Sequence, residues 1–188
     1  MESIHTIKRK RIKTDNIVTS DDNLVESAIK GSKEAFESLI DTYKEYLYKT
    51  AYLYVKNQHE AADIYQETVY KAFISIHKLK KPEYFKTWVT RILINNINDS
   101  FRKSSKVVLM DDSEYLMNDN NHAEILSNID LYKAIDSLSG KHKTAIILRY
   151  IHDMSIKDVA RVMECSENTV KSYIHRALKS LKVKLMEE

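Results

Sequence analysis

The chain has 188 residues, among them only 2 Gly, 1 Pro and 1 Cys. So little Gly and Pro argues against an all-β protein, whose tight turns need such residues, and one Cys excludes an internal disulfide framework and a four-thiolate metal site. The 30 Lys and Arg residues against 27 Asp and Glu leave a net charge of +3, so any contact with DNA must come from charges clustered on one surface.

The hydropathy pattern predicts neither a membrane span nor a secretory signal. No apolar run approaches the roughly 20 residues of a membrane span, and the N-terminus lacks the apolar segment of a secretory signal. We therefore expect a cytoplasmic protein with no membrane insertion. Residues 1–21 carry a basic cluster between Lys8 and Lys13 without a helical period. We interpret them as a flexible basic tail, with a phosphate-binding arm as the alternative.

Apolar residues recur at spacings of three and four throughout residues 22–103, which predicts an N-terminal domain made of helices. Gly31 is placed to end the first helix and Ser32 to cap the second. Asn57 breaks the pattern and can cap a third helix, while Pro82 suits the first turn of a fourth.

Residues 104–123 differ in character from what precedes and follows them. They are rich in Ser, Asp and Asn and show no sustained period, so they are predicted to form a flexible acidic linker. Helical spacing returns in residues 124–188. The predicted fold is therefore all-α, with two small helical domains joined by this linker.

The second domain carries the pattern of a helix-turn-helix. Ser155 and Asp158 form a capping box at the start of a short helix, and Ser166 follows a tight turn and caps the last helix. Ala160 is small where the two helices would cross closely. In this motif the second helix enters the major groove of DNA. The apolar seam between the two helices comprises Ile156, Val159, Ala160, Val170, Ile174 and Ala177.

The exposed side of the last helix carries side chains that can bond to phosphates or base edges. A plain helical hairpin with a solvated polar face is the alternative. Because capping, turn length, a small residue and a polar face coincide, DNA binding is favoured. The predicted DNA-binding residues are Asn168, Thr169, Lys171, Ser172, His175 and Arg176.

An acidic stripe is predicted on the third helix, within residues 60–73. Its members recur at spacings of three and four and so share one helix face, whereas Ile64, Val69 and Phe73 face elsewhere. Such a stripe can dock a basic partner, although a merely solvated face is the simpler interpretation of these residues alone. The acidic stripe consists of Asp63, Gln66, Glu67 and Tyr70.

The basic segment that follows interleaves its charges with Tyr84, Phe85 and Trp88. This composition suits unpaired nucleic acid, whose bases stack on aromatic rings. A buried aromatic core is at least as good an interpretation for Phe85 and Trp88. Asn95 and Asn96 are adjacent amides late in a helix, which is unfavourable unless they are exposed or hydrogen-bonded, so one of them is a candidate for recognising a base edge.

A metal-dependent hydrolase is a further alternative. His59, Glu60 and Asp63 resemble an H-E-x-x-H box, but Asp63 stands in place of the second His and no nearby downstream ligand completes the site. Cys165 lacks a surrounding cluster of His or Cys and is interpreted as a small packing residue. We expect no catalytic residue, no metal and no cofactor.

The three segments in this order resemble an extracytoplasmic-function (ECF) sigma factor of the sigma-70 family, over about residues 23–188. Residues 60–73 are similar to the family's D-x-x-Q-E-T segment. This implies that the acidic stripe docks the clamp-helix coiled coil of the largest catalytic subunit of RNA polymerase. The last helix resembles the family's helix for the −35 promoter element, with its T-V-K-S run at Thr169–Ser172 and its R-A pair at Arg176-Ala177.

The segment FKTWVTRILINNINDSFRK resembles the family's helix for the −10 element, and the family's Trp and Arg recur as Trp88 and Arg91. The resemblance implies that Asn95 is the amide of a base pocket with a basic loop beside it. The implied −10 DNA-binding residues are Leu79, Lys80, Lys81, Tyr84, Phe85, Trp88, Arg91 and Asn95.

The resemblance implies a protein that binds core RNA polymerase, recognises both promoter elements and promotes DNA melting, without covalent chemistry of its own. Its implied partners are core polymerase, promoter DNA and an anti-sigma factor. A free-standing helix-turn-helix regulator is the alternative, and it would not need the acidic stripe. Many family members have Gly where this chain reads His152–Met154 and Glu164-Cys165, so a left-handed backbone there would cost on the order of 1 kcal/mol.

Overall fold

The computed structural model describes residues 21–107 and 129–184, which belong to two compact units. All regular structure within these ranges is helical, and they contain no strand, which confirms the predicted all-α fold class. None of the described helices is both long enough and apolar enough to cross a bilayer. The predicted basic tail up to residue 20 and the predicted linker from residue 108 onward lie outside the described residues.

In the N-terminal unit the first helix ends, and the second helix begins, where the sequence predicts. Gly31 follows the first helix at a φ of +102°, a left-handed conformation that favours glycine. The Ser32 hydroxyl then accepts a hydrogen bond from the amide of Ala35 at 3.2 Å. The α-helices of this unit are α1 Asp21–Ile29, α2 Lys33–Val55, α3 Gln58–Ser75 and α4 Phe85–Val107.

The break between α2 and α3 is made by two residues. Lys56 takes a left-handed conformation with φ of 56°, and the side-chain oxygen of Asn57 accepts from the amide of Glu60 at 2.9 Å. The predicted cap at Asn57 is thereby confirmed. Short 3₁₀ turns at Ile76–Lys78 and Pro82–Tyr84 connect α3 to α4, with Pro82 in the first position of its turn as expected.

The core of this unit lies between α2, α3 and α4. Its fully buried side chains include Leu39 and Leu47 on α2 and Leu93 on α4. Tyr46 of α2 hydrogen-bonds across this core to the Thr90 hydroxyl of α4 at 2.9 Å. Burial raises the pKa of the Tyr46 phenol, so the group stays neutral at every physiological pH.

Helix α4 extends further than predicted. It runs to Val107, four residues beyond the expected domain end at residue 103, and so takes in the first residues assigned to the linker. Residues 104–107 contain neither Gly nor Pro, so nothing in their backbone chemistry stops a helix that is already formed. A polar composition was therefore a poor marker of the helix end.

Within residues 129–184, four α-helices of the C-terminal unit pack around Ile146, Leu148, Val159 and Val170. Ser139 precedes the second of them, and its hydroxyl bonds to Nδ1 of His142 at 2.7 Å rather than to a backbone amide. That second helix closes in a π-helical turn over Ile147–Ile151. The helices are α5 Ile129–Asp136, α6 Gly140–Ile146, α7 Ile156–Val162 and α8 Glu167–Lys184.

Helices α7 and α8 form the predicted helix-turn-helix. The Ser155 hydroxyl accepts from the amide of Asp158, and the Ser166 hydroxyl from the amide of Thr169, each at 3.1 Å. The predicted seam is buried apart from Ile156, which is half-buried. Both caps and the packing that orients α8 therefore follow from the sequence.

Two residues of this unit hold the left-handed backbone that glycine would favour. Asp153 has φ of 50° and Glu164 has φ of 51°. These are the two segments where many family members have Gly. Each non-Gly residue costs on the order of 1 kcal/mol in this conformation, and the packed core of the unit offsets that cost.

Candidate functional site

The acidic stripe lies on the outer face of α3. Asp63, Gln66, Glu67 and Tyr70 are all exposed, and Tyr70 retains 61% of its surface. The opposite face of the helix is buried through Ala61, Ile64, Thr68 and Ala72. The four stripe side chains are thus accessible to a partner together, as their spacing predicts.

An apolar groove lies beside the stripe, between α2 and α3, and sequence reasoning missed it. Its walls include Phe36, Val69 and Phe73, together with the stripe residues Gln66 and Tyr70. Phe73 was expected to face away from the stripe, but it is 43% exposed and meets Phe36 edge to face at 5.2 Å between ring centroids. The spacing of Gln66, Tyr70 and Phe73 by four and three residues was the signal that could have found the groove.

The basic loop before α4 exposes its charges and buries its apolar residue. Lys80 and Lys81 are exposed, and the Lys81 ammonium lies 5.9 Å from the ring centroid of Tyr84. Leu79 is only 8% exposed and Phe85 only 2%. Their apolar side chains are more stable inside the protein than in water, so we withdraw both from the set of direct DNA contacts.

Trp88 and Arg91 are half-buried on α4. The Trp88 ring lies against the buried Phe85 ring, with 5.9 Å between centroids. Trp88 therefore has one side against the core and part of its surface in solvent, so its core contact is observed and its contact with DNA stays a prediction. Arg91 likewise presents only part of its side chain.

The adjacent amides Asn95 and Asn96 have opposite environments. Asn95 is exposed, whereas Asn96 is 5% exposed and points at α3. The Asn96 Nδ2 donates to the Thr68 hydroxyl at 2.9 Å, and the Asn96 Oδ1 accepts from the Lys71 ammonium at 2.6 Å. Asn96 thus holds α4 to α3, and Asn95 remains available to bind a ligand.

A cavity opens beside Asn95, in the cleft between the end of α3 and the middle of α4. Ile74 and Ile92 give it apolar walls, while Lys71 and Lys78 bring cations to its edge. Sequence reasoning placed the neighbourhood of Asn95 at the basic loop and missed these four residues. Lys71, Ile74 and Lys78 follow one another at spacings of three and four, which places them on one face of the chain as it leaves α3.

The predicted DNA-binding residues of α8 lie along its outer side. Asn168, Lys171, Ser172, His175 and Arg176 are exposed. Thr169 is half-buried, and its hydroxyl bonds to the capping Ser166 hydroxyl at 2.8 Å. The Ser172 hydroxyl donates back to the carbonyl of Asn168 at 2.9 Å. The structure therefore brings the six residues together, with all except Thr169 exposed.

The residues of the hydrolase alternative do not form a metal centre. Within residues 21–107 and 129–184 no group of three or more His, Cys, Asp or Glu side chains is placed to hold a metal ion. Glu60 instead accepts a hydrogen bond from the Ser100 hydroxyl at 2.7 Å. Cys165 is half-buried in its turn, and burial raises the pKa of its thiol, as expected for a packing residue.

Comparison with protein families identifies both units. Residues 39–107 match the model for sigma-70 region 2, and residues 129–181 match the model for sigma-70 region 4. The fold and its exposed surfaces are therefore those of a sigma-70-type transcription protein, whose second unit is a helix-turn-helix.

Individual relatives define the group more closely. The chain is 34% identical to RNA polymerase sigma factor SigV of Bacillus subtilis, over 84% of this chain and 95% of that protein. It is 30% identical to the ECF RNA polymerase sigma-E factor of Haemophilus influenzae, over 88% of this chain and 95% of the other. The solved structure of the sigma factor RpoE with the anti-sigma factor NepR from Bartonella quintana aligns with a TM-score of 0.70 at 27% identity, covering 80% of this chain and 96% of RpoE.

The chain belongs to the ECF sigma factors of the sigma-70 family and is a sigma factor of RNA polymerase that acts in transcription initiation. Sigma factors are regulatory DNA-binding proteins rather than enzymes.

The contrast between the two adjacent amides is testable by unfolding. Asn96→Ala removes one hydrogen bond from the buried Thr68 hydroxyl and one from the Lys71 ammonium, which should lower the free energy of unfolding by about 1–3 kcal/mol. Asn95→Ala is the matched control and should change it by less than about 0.5 kcal/mol, because Asn95 is exposed. Urea unfolding followed by circular dichroism measures both, and equal losses would contradict the assignment.

Proposed function

We propose that three surfaces of the two units act in transcription initiation. The acidic stripe of α3 with its groove binds core polymerase, α4 with the cavity beside Asn95 binds the −10 element and opens it, and α8 binds the −35 element. The observation that carries this proposal is the exposure of Asn95 at the mouth of a cavity on a helix whose next residue, Asn96, is buried. Such a cavity has the apolar walls and the amide that an extruded base requires.

Docking of polymerase would combine charge with apolar contact. Asp63 and Glu67 present carboxylates one helical turn apart, while Tyr70 and Phe73 present exposed rings next to them. Aromatic side chains at the centre of an interface commonly carry most of its binding energy, and flanking charges set orientation and association rate. A basic helical surface with apolar residues, such as the polymerase clamp helices, fits both features.

Opening of the −10 element would depend on a base leaving the stack. The Asn95 amide offers a donor and an acceptor to a base edge, and Ile74 and Ile92 pack against the base faces in the cavity. Outside the cavity, Lys80, Lys81 and Tyr84 can hold the phosphates and stack with neighbouring bases.

Recognition of the −35 element would use α8 in the major groove. Its capped N-terminus favours a phosphate, and the exposed Lys171, His175 and Arg176 lie further along the same side. Arg176 is the best candidate for a bidentate contact with guanine, since that pairing matches the guanidinium geometry.

An anti-sigma factor is the proposed regulator. The RpoE structure was solved with an anti-sigma factor bound, and the exposed rings of the groove would give such a partner an apolar surface to cover. A factor that works with polymerase on chromosomal promoters acts in the cytoplasm, and its contribution is binding free energy without any covalent step.

Core binding should depend on the acidic stripe. The double variant Asp63→Lys/Glu67→Lys opposes like charges at a basic clamp surface, so affinity for core polymerase should fall on the order of tenfold or more. Glu26→Lys/Glu45→Lys makes the same change in net charge on exposed residues outside the stripe and should bind normally. Pull-down of core polymerase, with circular dichroism as a check of the fold, measures this. Undiminished binding by the stripe variant would place the polymerase-binding surface outside the acidic stripe.

The −35 contact should depend on Arg176. Arg176→Ala in the full chain should cost about 1–3 kcal/mol of binding to a matched −35 duplex at fixed salt, as expected when a bidentate base contact is removed. Lys182→Ala, nearer the end of α8, is the control. An equal loss on a scrambled duplex would assign Arg176 to phosphate instead of base recognition.

Promoter opening should depend on Asn95. Asn95→Ala should leave core binding and closed complexes nearly intact but reduce open complexes, because extruding a base costs a few kcal/mol and the pocket for it is impaired. A premelted −10 bubble removes the unpairing cost but not the base contact, so rescue should be partial. Permanganate footprinting on duplex and bubble templates measures both.

The matched control is Asn98→Ala, since Asn98 is an exposed amide on the same helix. It should open promoters like the unmodified protein. Normal opening together with unchanged base preference in Asn95→Ala would remove Asn95 from the pocket.

A further inference from the structure

We propose that Lys71 is a further DNA-binding residue, which holds a backbone phosphate of the opened −10 strand at the edge of the cavity and is positioned there by Asn96. The inference rests on the proposed −10 function and extends it. The sequence assigns the phosphate contacts of this strand to Lys80 and Lys81 of the loop, and it assigns no role to α3 in DNA binding.

The Lys71 ammonium is held in place by a chain of buried hydrogen bonds. It donates to the Asn96 Oδ1 at 2.6 Å, the Asn96 Nδ2 donates to the Thr68 hydroxyl at 2.9 Å, and that hydroxyl donates to the carbonyl of Ile64 at 2.7 Å. Asn96 is 5% exposed and Thr68 is fully buried. The amide cannot turn without breaking both bonds, so an otherwise flexible lysine is pre-organised.

The held ammonium still has bonding capacity. A lysine ammonium has three donors, of which Asn96 takes one and the Glu67 carboxylate, at 3.2 Å, takes another. The ion pair between Lys71 and Glu67 is exposed, since the Glu67 side chain is 52% accessible and the Lys71 side chain 41%. Such exposed ion pairs contribute little stability. Glu67 also belongs to the acidic stripe, so a polymerase that binds the stripe competes for it and releases Lys71 toward DNA.

The other charged groups of the cavity agree with an anionic ligand at this edge. Lys78 is a second, exposed cation of the same cavity. Asp99 is the acidic residue among its walls, and it is paired with Arg102. Two lysines beside the apolar Ile74 and Ile92 match a nucleotide, which has an apolar base face and a charged phosphate.

The test uses holoenzyme assembled from core polymerase and the full chain. Its probe is a short fluorescein-labelled single-stranded oligonucleotide, selected from a random pool by binding to the unmodified holoenzyme. Lys71→Met should lower affinity about tenfold at low salt. It should also reduce the slope of log K against log salt concentration by about 0.7, the value expected when one phosphate of a single strand is no longer neutralised.

Two matched variants separate this phosphate-binding role from a structural one. Lys49→Met also removes a lysine from an exposed pair, here with Glu45 on α2 outside the cavity, and should change neither affinity nor slope. Lys71→Arg keeps the charge and should restore the slope. If Lys71→Met leaves the slope unchanged, the phosphate contact is overturned.

The positioning role of Asn96 has its own readout. Asn96→Ala should weaken binding several-fold while keeping the salt slope, since the ammonium is present but no longer held. In a Lys71→Met background the same change should have no further effect, because residues that act through one another are not additive. Additive losses would overturn the positioning role.

Binding of the same probe by Asn95→Ala distinguishes a failure of the Lys71 inference from a failure of the proposed −10 function. Relaxed base preference in Asn95→Ala with an unaltered slope in Lys71→Met overturns the inference and leaves the −10 function standing. A reduced slope in Lys71→Met with unaltered base preference in Asn95→Ala has the opposite meaning: Lys71 binds phosphate, and the base pocket lies elsewhere.

Discussion

The packing of α3 against α4 is the interaction on which the N-terminal unit depends. The inner face of α3 presents small fully buried residues, Ala61, Thr68 and Ala72, so α4 can approach closely. The Asn96 amide spans this contact through its hydrogen bond to Thr68. Because α3 carries the acidic stripe and α4 carries Asn95, one packed interface sets the distance between the proposed polymerase surface and the proposed DNA surface.

The same dependence on packing is visible in the helix-turn-helix. Fully buried Val159 on α7 and Val170 on α8 hold the recognition helix, while serine caps at both helix starts satisfy backbone amides that would otherwise lack partners. The turn between the helices tolerates a left-handed Glu164 without glycine. Orientation of α8 is therefore set by packing on its inner side, which leaves its outer side exposed for the proposed contact with DNA.

Acidic and basic side chains lie on different exposed surfaces, although the net charge of the chain is only +3. Carboxylates and aromatic rings meet on α3, and cations gather at the loop, at the cavity and along α8. The groove leaves Tyr70 and Phe73 exposed in the uncomplexed chain. Exposed apolar patches commonly mark protein interaction sites, so a surface of this kind suits the proposed binding of polymerase and of an anti-sigma factor.

Sequence alone determined the helical class, the helix starts at Ser32, Asn57, Ser155 and Ser166, and the helix-turn-helix, because caps and apolar periods are local signals carried by neighbouring residues. It also placed the acidic stripe on one face. Tertiary structure alone decided which of two adjacent amides is buried, that Leu79 and Phe85 belong to the core, and that Phe73 is exposed beside the stripe. These outcomes depend on which helix lies across the side chain, and a residue's own neighbours in the chain do not specify that contact.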